Sequence, residues 1–317
     1  MSPAQKSTMR AFGVLAGVLV LAFTGCAPEE RPPAEIEPTT APEMIGVVEV
    51  TNGPLAYVVK RLTTPLVEVR FRGSDAPDPA FWKPTTDDVP AMQEADLVVL
   101  NGASYESWLT NVSLPASRLV DTTMAVRERL LPIAEAVTHS HGLEGEHEHT
   151  GLAFTTWLDP TLLVEQARAV EVALAARWPA HADLFGERFA ELAVDLAALD
   201  TELEAATAPF ADQSLVFSHP VYQYLDRRYK LNGKSLHWEP GEMPDEGQWR
   251  ELESMLGEHP ARLMLWEGQP LPEVTARLES LGVGVVVFLP MGNRPESGDF
   301  DSVMSQNVQR LRAALDE

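Results

Sequence analysis

The sequence predicts an α/β protein of two lobes, each built on a mainly parallel sheet, with a single long helix as the bridge between them. Two observations carry this. Short β-branched runs alternate with helical stretches twice along the chain, the pattern of parallel β-α units, and one helical region separates the two sets. Length agrees. Of 317 residues, roughly 270 remain once the N-terminal segment is set aside, too many for one ordinary domain and about right for two lobes.

The first set runs IGVVEV, GPLAYVVKRL, PLVEVRF, VPAMQEA, DLVVL and SYESWL, and assigns 44–178 to an N-terminal lobe. From Pro160 to about Ala208 the pattern is helical, broken once at Trp178 and Pro179. In its second half Leu184, Phe185, Phe189, Leu192, Leu196, Leu199 and Leu203 recur at intervals of three and four, an apolar stripe of helical period, so 179–209 is read as the bridging helix. The second set pairs SLVFS with PVYQYLDRRY, KSLHW with QWRELESML, ARLMLW with PEVTARLESL, and VGVVVF with VMSQNVQRLRAAL, giving a C-terminal lobe over 210–317.

Ligands of open parallel sheets bind beyond the carboxyl ends of the strands. Two facing lobes therefore gather Thr51, Asn52, Asp75 to Asp78 and Asn101 from one side, and His219, His237, Glu239, Glu267 and Leu289 to Met291 from the other. Of these, His219, His237, Glu239 and Glu267 are the candidate metal ligands. Trp82, Trp157, Trp238 and Trp266 near strand ends fit core packing, although an aromatic-lined cleft also accepts an organic ligand or a metal complex. His181 and His259 read as residues on helix surfaces and receive no role.

Lys6 and Arg10 precede an uncharged run from Ala11 to Gly25 that stops at Cys26, the one cysteine of the chain. That layout is a lipoprotein signal peptide over 1–25 with lipid on Cys26. The competing reading, a membrane anchor ending in an incidental cysteine, suffers from a run too short to span a bilayer. Residues 26–43, rich in Pro, Glu and Thr, read as an extended tether. An exported protein, lipid-anchored to a bacterial membrane and facing the periplasm or the cell exterior, is the expectation. With no second cysteine, stability must come from packing.

The net charge is -23, with 47 acidic against 24 basic residues. This argues against a nucleic-acid partner and suits a cationic cargo. Between 138 and 150 the sequence THSHGLEGEHEHT holds His139, His141, His147 and His149, half of the eight histidines. Imidazoles alternating with carboxylates on a Gly-containing loop suit Zn2+ or another borderline divalent ion; a solvated loop whose histidines only titrate is the other reading. No GxSxG, P-loop or HExxH pattern is found, so no enzyme is expected.

ADLVVLNGASYESWL (95–109), TWLDP (156–160), VFSHPVYQYLDRRYKL (216–231) and the late GVGVVVFLPMGN resemble, in order, signature segments of the zinc- and manganese-binding components of ABC importers. The resemblance implies two four-stranded α/β lobes, Zn2+ or Mn2+ held in the cleft as the transported ligand, and delivery to an ABC membrane permease by a protein we expect to be a monomer. A His-rich loop just before the WLDP segment belongs to the same pattern. Carried over singly, the family's four metal ligands fall on Ala80, Thr155, His219 and a position near Leu289. One imidazole cannot organise tetrahedral zinc. Either other residues rebuild the site, or the cargo is a chelated metal or a small organic molecule. A third alternative is a surface adhesion or scaffolding lipoprotein.

Overall fold

The computed structural model describes residues 43–133 and 151–315, together with the backbone of 137–140 and 146–149. The predicted signal peptide, tether and Cys26 lie outside the described residues. So does His141.

In the N-terminal lobe, β1 (Gly46–Val50) leads into α1 (Gly53–Thr63) and β2 (Val67–Arg70), then α2 (Asp88–Glu94), β3 (Leu97–Leu100) and β4 (Leu119–Asp121). The four strands are parallel in the order β2-β1-β3-β4. Every residue of β3, LVVL, is buried, as a central parallel strand covered on both faces requires. Asn52 starts α1 by accepting from the Leu55 N–H at 2.9 Å, and Pro54 occupies the first turn, where its missing N–H costs nothing.

A short antiparallel ribbon follows, β5 (Val137–Ser140) with β6 (Glu146–His149), in a register that sets His139 opposite His147 and Val137 opposite His149. The segment expected as an irregular loop thus has a paired backbone. Helix α3 (Pro160–Arg177) is capped by Asp159, whose carboxylate accepts from the Thr161 N–H at 3.0 Å. The break at Trp178 and Pro179 is a single 3-10 turn before α4 (Ala182–Thr207), whose 26 residues extend about 39 Å. Phe185, Phe189, Leu192, Leu196, Leu199 and Leu203 form its buried stripe, and it packs on α1 and α3 on one side and on the C-terminal helix on the other.

The C-terminal lobe comprises β7 (Ser214–Phe217), α5 (Gln223–Tyr229), β8 (Asn232–Ser235), α6 (Glu246–Glu258), β9 (Leu263–Trp266), α7 (Pro272–Ser280), β10 (Gly284–Val287) and α8 (Phe300–Ala313). Its parallel order is β10-β9-β7-β8. The expected strand KSLHW falls earlier, at NGKS. Gly233 fits this place: it pairs with Leu215, and a Cβ there would come within 2.1 Å of the Phe217 ring. Among the described residues no helix is long and apolar enough to cross a membrane. His259, expected on a helix surface, is instead buried at the end of α6, its Nε2 lying 3.0 Å from the Leu215 carbonyl.

Several strand-end groups expected to face the ligand serve the scaffold. The Asn52 amide donates to Asn101 Oδ1 at 3.1 Å, and Asn101 in turn donates to the Gly102 and Phe154 carbonyls. The Thr51 hydroxyl donates at 2.6 Å to the buried Glu106 carboxylate, which also accepts from the Asn101 and Gly102 N–H groups. Burial raises the Glu106 carboxyl to about 7, although these donors pull it downward. A carboxyl raised in the folded state contributes stability that is complete below the unfolded value of 4.5 and lost as the pH climbs through 7. The loss is about 3 kcal/mol. Urea unfolding at stepped pH should show this fall between pH 4.5 and 7, and E106Q should reduce it by the Glu106 share, leaving a comparable contribution from groups such as Asp226, raised by burial to about 6.

Candidate functional site

The site is assembled around Ser218, the residue that follows β7. Its N–H donates to the Leu265 carbonyl of β9 at 2.9 Å, its carbonyl accepts from the Trp238 N–H at 2.8 Å, and its hydroxyl accepts from the Glu267 N–H at 3.3 Å. Three chain segments are thereby held at one level beyond the sheet. They carry His219, Glu239 and Glu267.

These three side chains converge: one ligand atom from each lies within 4.8 Å of the others. His219 Nδ1 is 3.4 Å from Glu239 Oε1 and 3.7 Å from Glu267 Oε1. Ligand atoms about 2.05 Å from a tetrahedral zinc stand ~3.3 Å apart, so the cluster is close to the span that a single ion would set. His219 is buried and the two glutamates nearly so. Burial above all, then repulsion from Glu239 and Asp78, pushes the Glu267 carboxyl well above the usual carboxylate range. A cation placed among these groups would relieve that repulsion.

His237 is not brought into the cluster; its ring stands edge-on to that of His219 with centroids 6.0 Å apart. His139, His147 and His149 lie on the β5–β6 ribbon, where only the backbone is described. Among the described residues, the group of converging ligand atoms includes none from the N-terminal lobe. Ala80 is buried in a 3-10 turn capped by Asp78. Leu289 is held through its backbone by Asn307, which accepts from its N–H at 3.0 Å and donates to its carbonyl at 2.9 Å. Thr155 spans the lobes, its hydroxyl donating to the Val221 carbonyl at 2.6 Å.

Further bonds lace the lobes beside Thr155. Trp157 Nε1 donates to the Pro290 carbonyl at 2.6 Å, and the Tyr224 hydroxyl, which donates to the Ala153 carbonyl, accepts from the Leu131 N–H. The Gly53 N–H reaches the Gly292 carbonyl at 2.8 Å; a Cβ on Gly53 would stand 2.3 Å from the Asn293 carbonyl oxygen, so only glycine admits this approach. Between the lobes remains a cavity of about 750 Å³, lined by Asp78, Tyr105, Thr155, His219, Glu239, Glu267 and mostly apolar neighbours. The bonding roles of Ser218 and of these lacing groups escaped the sequence reading, since each acts through partners distant along the chain.

Two parallel α/β lobes joined by one long helix, with a cleft at their carboxyl edges, define a two-lobed binding-protein fold. The chain belongs to the family described as zinc-uptake complex component A, periplasmic (ZnuA), whose model matches residues 48–314. The zinc-binding protein AdcA of Streptococcus pyogenes serotype M3 is 24% identical over 258 residues, covering 75% of this chain and 50% of that protein. The chain thus spans about half the length of the curated relatives it matches first. The metal-dependent lipoprotein YcdH from Bacillus subtilis superposes with a TM-score of 0.70 at 18% identity, covering 84% of this chain and 98% of the other. Zn(II)-bound AdcA from Streptococcus pneumoniae gives 0.70 at 18% identity, covering 86% and 58%. These superpositions agree with the two four-stranded lobes.

Replacing Thr155 by valine removes the hydroxyl and leaves the Val221 carbonyl without this donor. Thermal or urea unfolding of T155V should show a loss of about 1–3 kcal/mol, with faster amide exchange on both sides of the cleft.

Proposed function

We propose that this chain is the extracytoplasmic metal-binding component of an ABC importer, taking a divalent ion, zinc first, at His219, Glu239 and Glu267 and passing it to a membrane permease. The observation that carries the reading is the cluster itself: one imidazole and two carboxylates, from three separate strand ends, at separations suited to one ion. Family membership supports it, as do the names of the relatives, which speak of zinc binding. No chemistry on the cargo is required, so the protein acts as a binder and not as an enzyme.

The remaining assignments follow the same reading. Residues 1–25 serve as the signal peptide, Cys26 carries the lipid, 26–43 is the tether, and 44–178, 179–209 and 210–317 are the N-terminal lobe, bridge and C-terminal lobe of a monomer. His139, His141, His147 and His149 act as a secondary capture element that hands the ion to the cleft. His237 stands beside the cluster as a reserve imidazole.

Calorimetric titration of the metal-stripped protein with zinc tests this. H219A should weaken the tight site by at least about a hundredfold, since zinc then keeps two carboxylates of its set. E267Q should weaken it too, while deletion of 140–149 should leave it in place. Tight binding that survives H219A and E267Q but vanishes with the deletion would move the site to the ribbon.

A further inference from the structure

We propose that the cleft takes its divalent ion as a complex with a small carboxylate chelator, rather than as the bare ion. The proposal rests on the metal reading above and names what fills the rest of the cavity.

Size comes first. A zinc ion with one or two waters displaces on the order of 60 Å³ at about 30 Å³ per water, whereas the cavity holds about 750 Å³. That volume lies within the range of small-molecule sites, roughly 300–1,000 Å³. The protein donors are also one-sided. Among the described residues His219, Glu239 and Glu267 all come from the C-terminal lobe, and Asp78, the carboxylate that the facing wall brings to the cavity, lies outside their converging group. Three protein ligands leave zinc a fourth position open toward the cavity.

The remaining lining favours an anionic organic partner. Tyr105 is buried, its ring borders the cavity, and its hydroxyl has no hydrogen-bond partner among the described residues. Leaving such a donor unmet costs ~1–3 kcal/mol, which an acceptor in the cavity would recover. Burial, then the charges of Asp78 and Glu106, push this hydroxyl well above the usual tyrosine range, so it keeps the proton it would donate.

Along the sheet the order β10-β9-β7-β8 puts the metal cluster beyond β8, β7 and β9 and the 289–296 segment beyond the β10 edge. There Arg294 and Arg310 line the same cavity. Arg294 donates to the Phe71 carbonyl, and Arg310 donates to the neutral side chains of Asn307 and Gln306. Among the described residues neither guanidinium pairs with a carboxylate, including the exposed Glu296 on the same rim. Negative donors at one end and guanidinium groups without a carboxylate partner at the other match a ligand with a cation at its head and carboxylates behind it. Between them Phe81, Phe154, Val221 and Met291 supply apolar walls.

Equilibrium dialysis with isotope-labelled citrate or nitrilotriacetate, with and without zinc, tests the proposal on the full chain. Zinc-dependent retention of one chelator per chain is expected, with free chelator retained at least tenfold more weakly. Y105F should lose the zinc–chelator complex about tenfold, and R294Q with R310Q similarly, while free-zinc affinity moves less than threefold. H219A should abolish retention of both components, which excludes capture by the histidine ribbon. Tight zinc binding with neither chelator retained would overturn the proposal and leave the metal reading standing. Failure to retain zinc or either complex would remove both.

Discussion

The cleft depends on how one residue is bonded. Ser218 spends its N–H on β9, its carbonyl on the segment after β8 and its hydroxyl on the first residue after the β9 end, and so fixes the heights of three strand ends against one another. A parallel sheet spaces its strands by about 4.8 Å, within reach for His and Glu side chains on neighbouring ends to meet, provided the ends stand at matching heights. The Glu267 carboxyl is raised by burial first and by repulsion from Glu239 and Asp78 second, so it bears both the desolvation and the crowding of this arrangement.

A second constraint is that the lobes are tied. Trp157, Thr155, Tyr224 and Gly53 each cross the cleft to a backbone partner, and α4 packs on helices of both lobes. Lobes joined by few contacts would move freely relative to each other. Here the crossing bonds are short and at least partly buried, and relative motion would leave their carbonyls unmet. The converging donors all belong to one lobe, so assembling them does not require the other lobe to close.

The fold was legible where packing is local. β-branched runs at 46–50, 97–100 and 284–287 and the α4 stripe read directly, because burial on a strand or one helix face leaves a period in the sequence. β4, three residues long, and β8, the polar NGKS, leave none; their places are set by pairing with β3 and β7. The site divides in the same way. His219, Glu239 and Glu267 could be named as strand-end residues, but their convergence and the exclusion of His237 depend on the bonds of Ser218, which join positions 20 to 49 residues apart. Thr155 reads in sequence as a missing ligand. In the structure its hydroxyl has a use of its own, to a carbonyl 66 residues away.

That use bears on the cargo. At the two positions where the resemblance implied histidines, Thr155 lines the cavity with its hydroxyl bonded across the cleft, and Ala80 is buried in its 3-10 turn. An ion held as proposed would meet His219, Glu239 and Glu267 on one face, with Asp78, Tyr105, apolar side chains and two arginines around the rest of the cavity. For a bare cation that space carries a desolvation cost with no compensating bond. For a cation already wrapped by an anionic ligand it is the complementary surface, since the ligand brings the missing donor atoms with it and buries its carbon skeleton against Phe81, Phe154 and Met291.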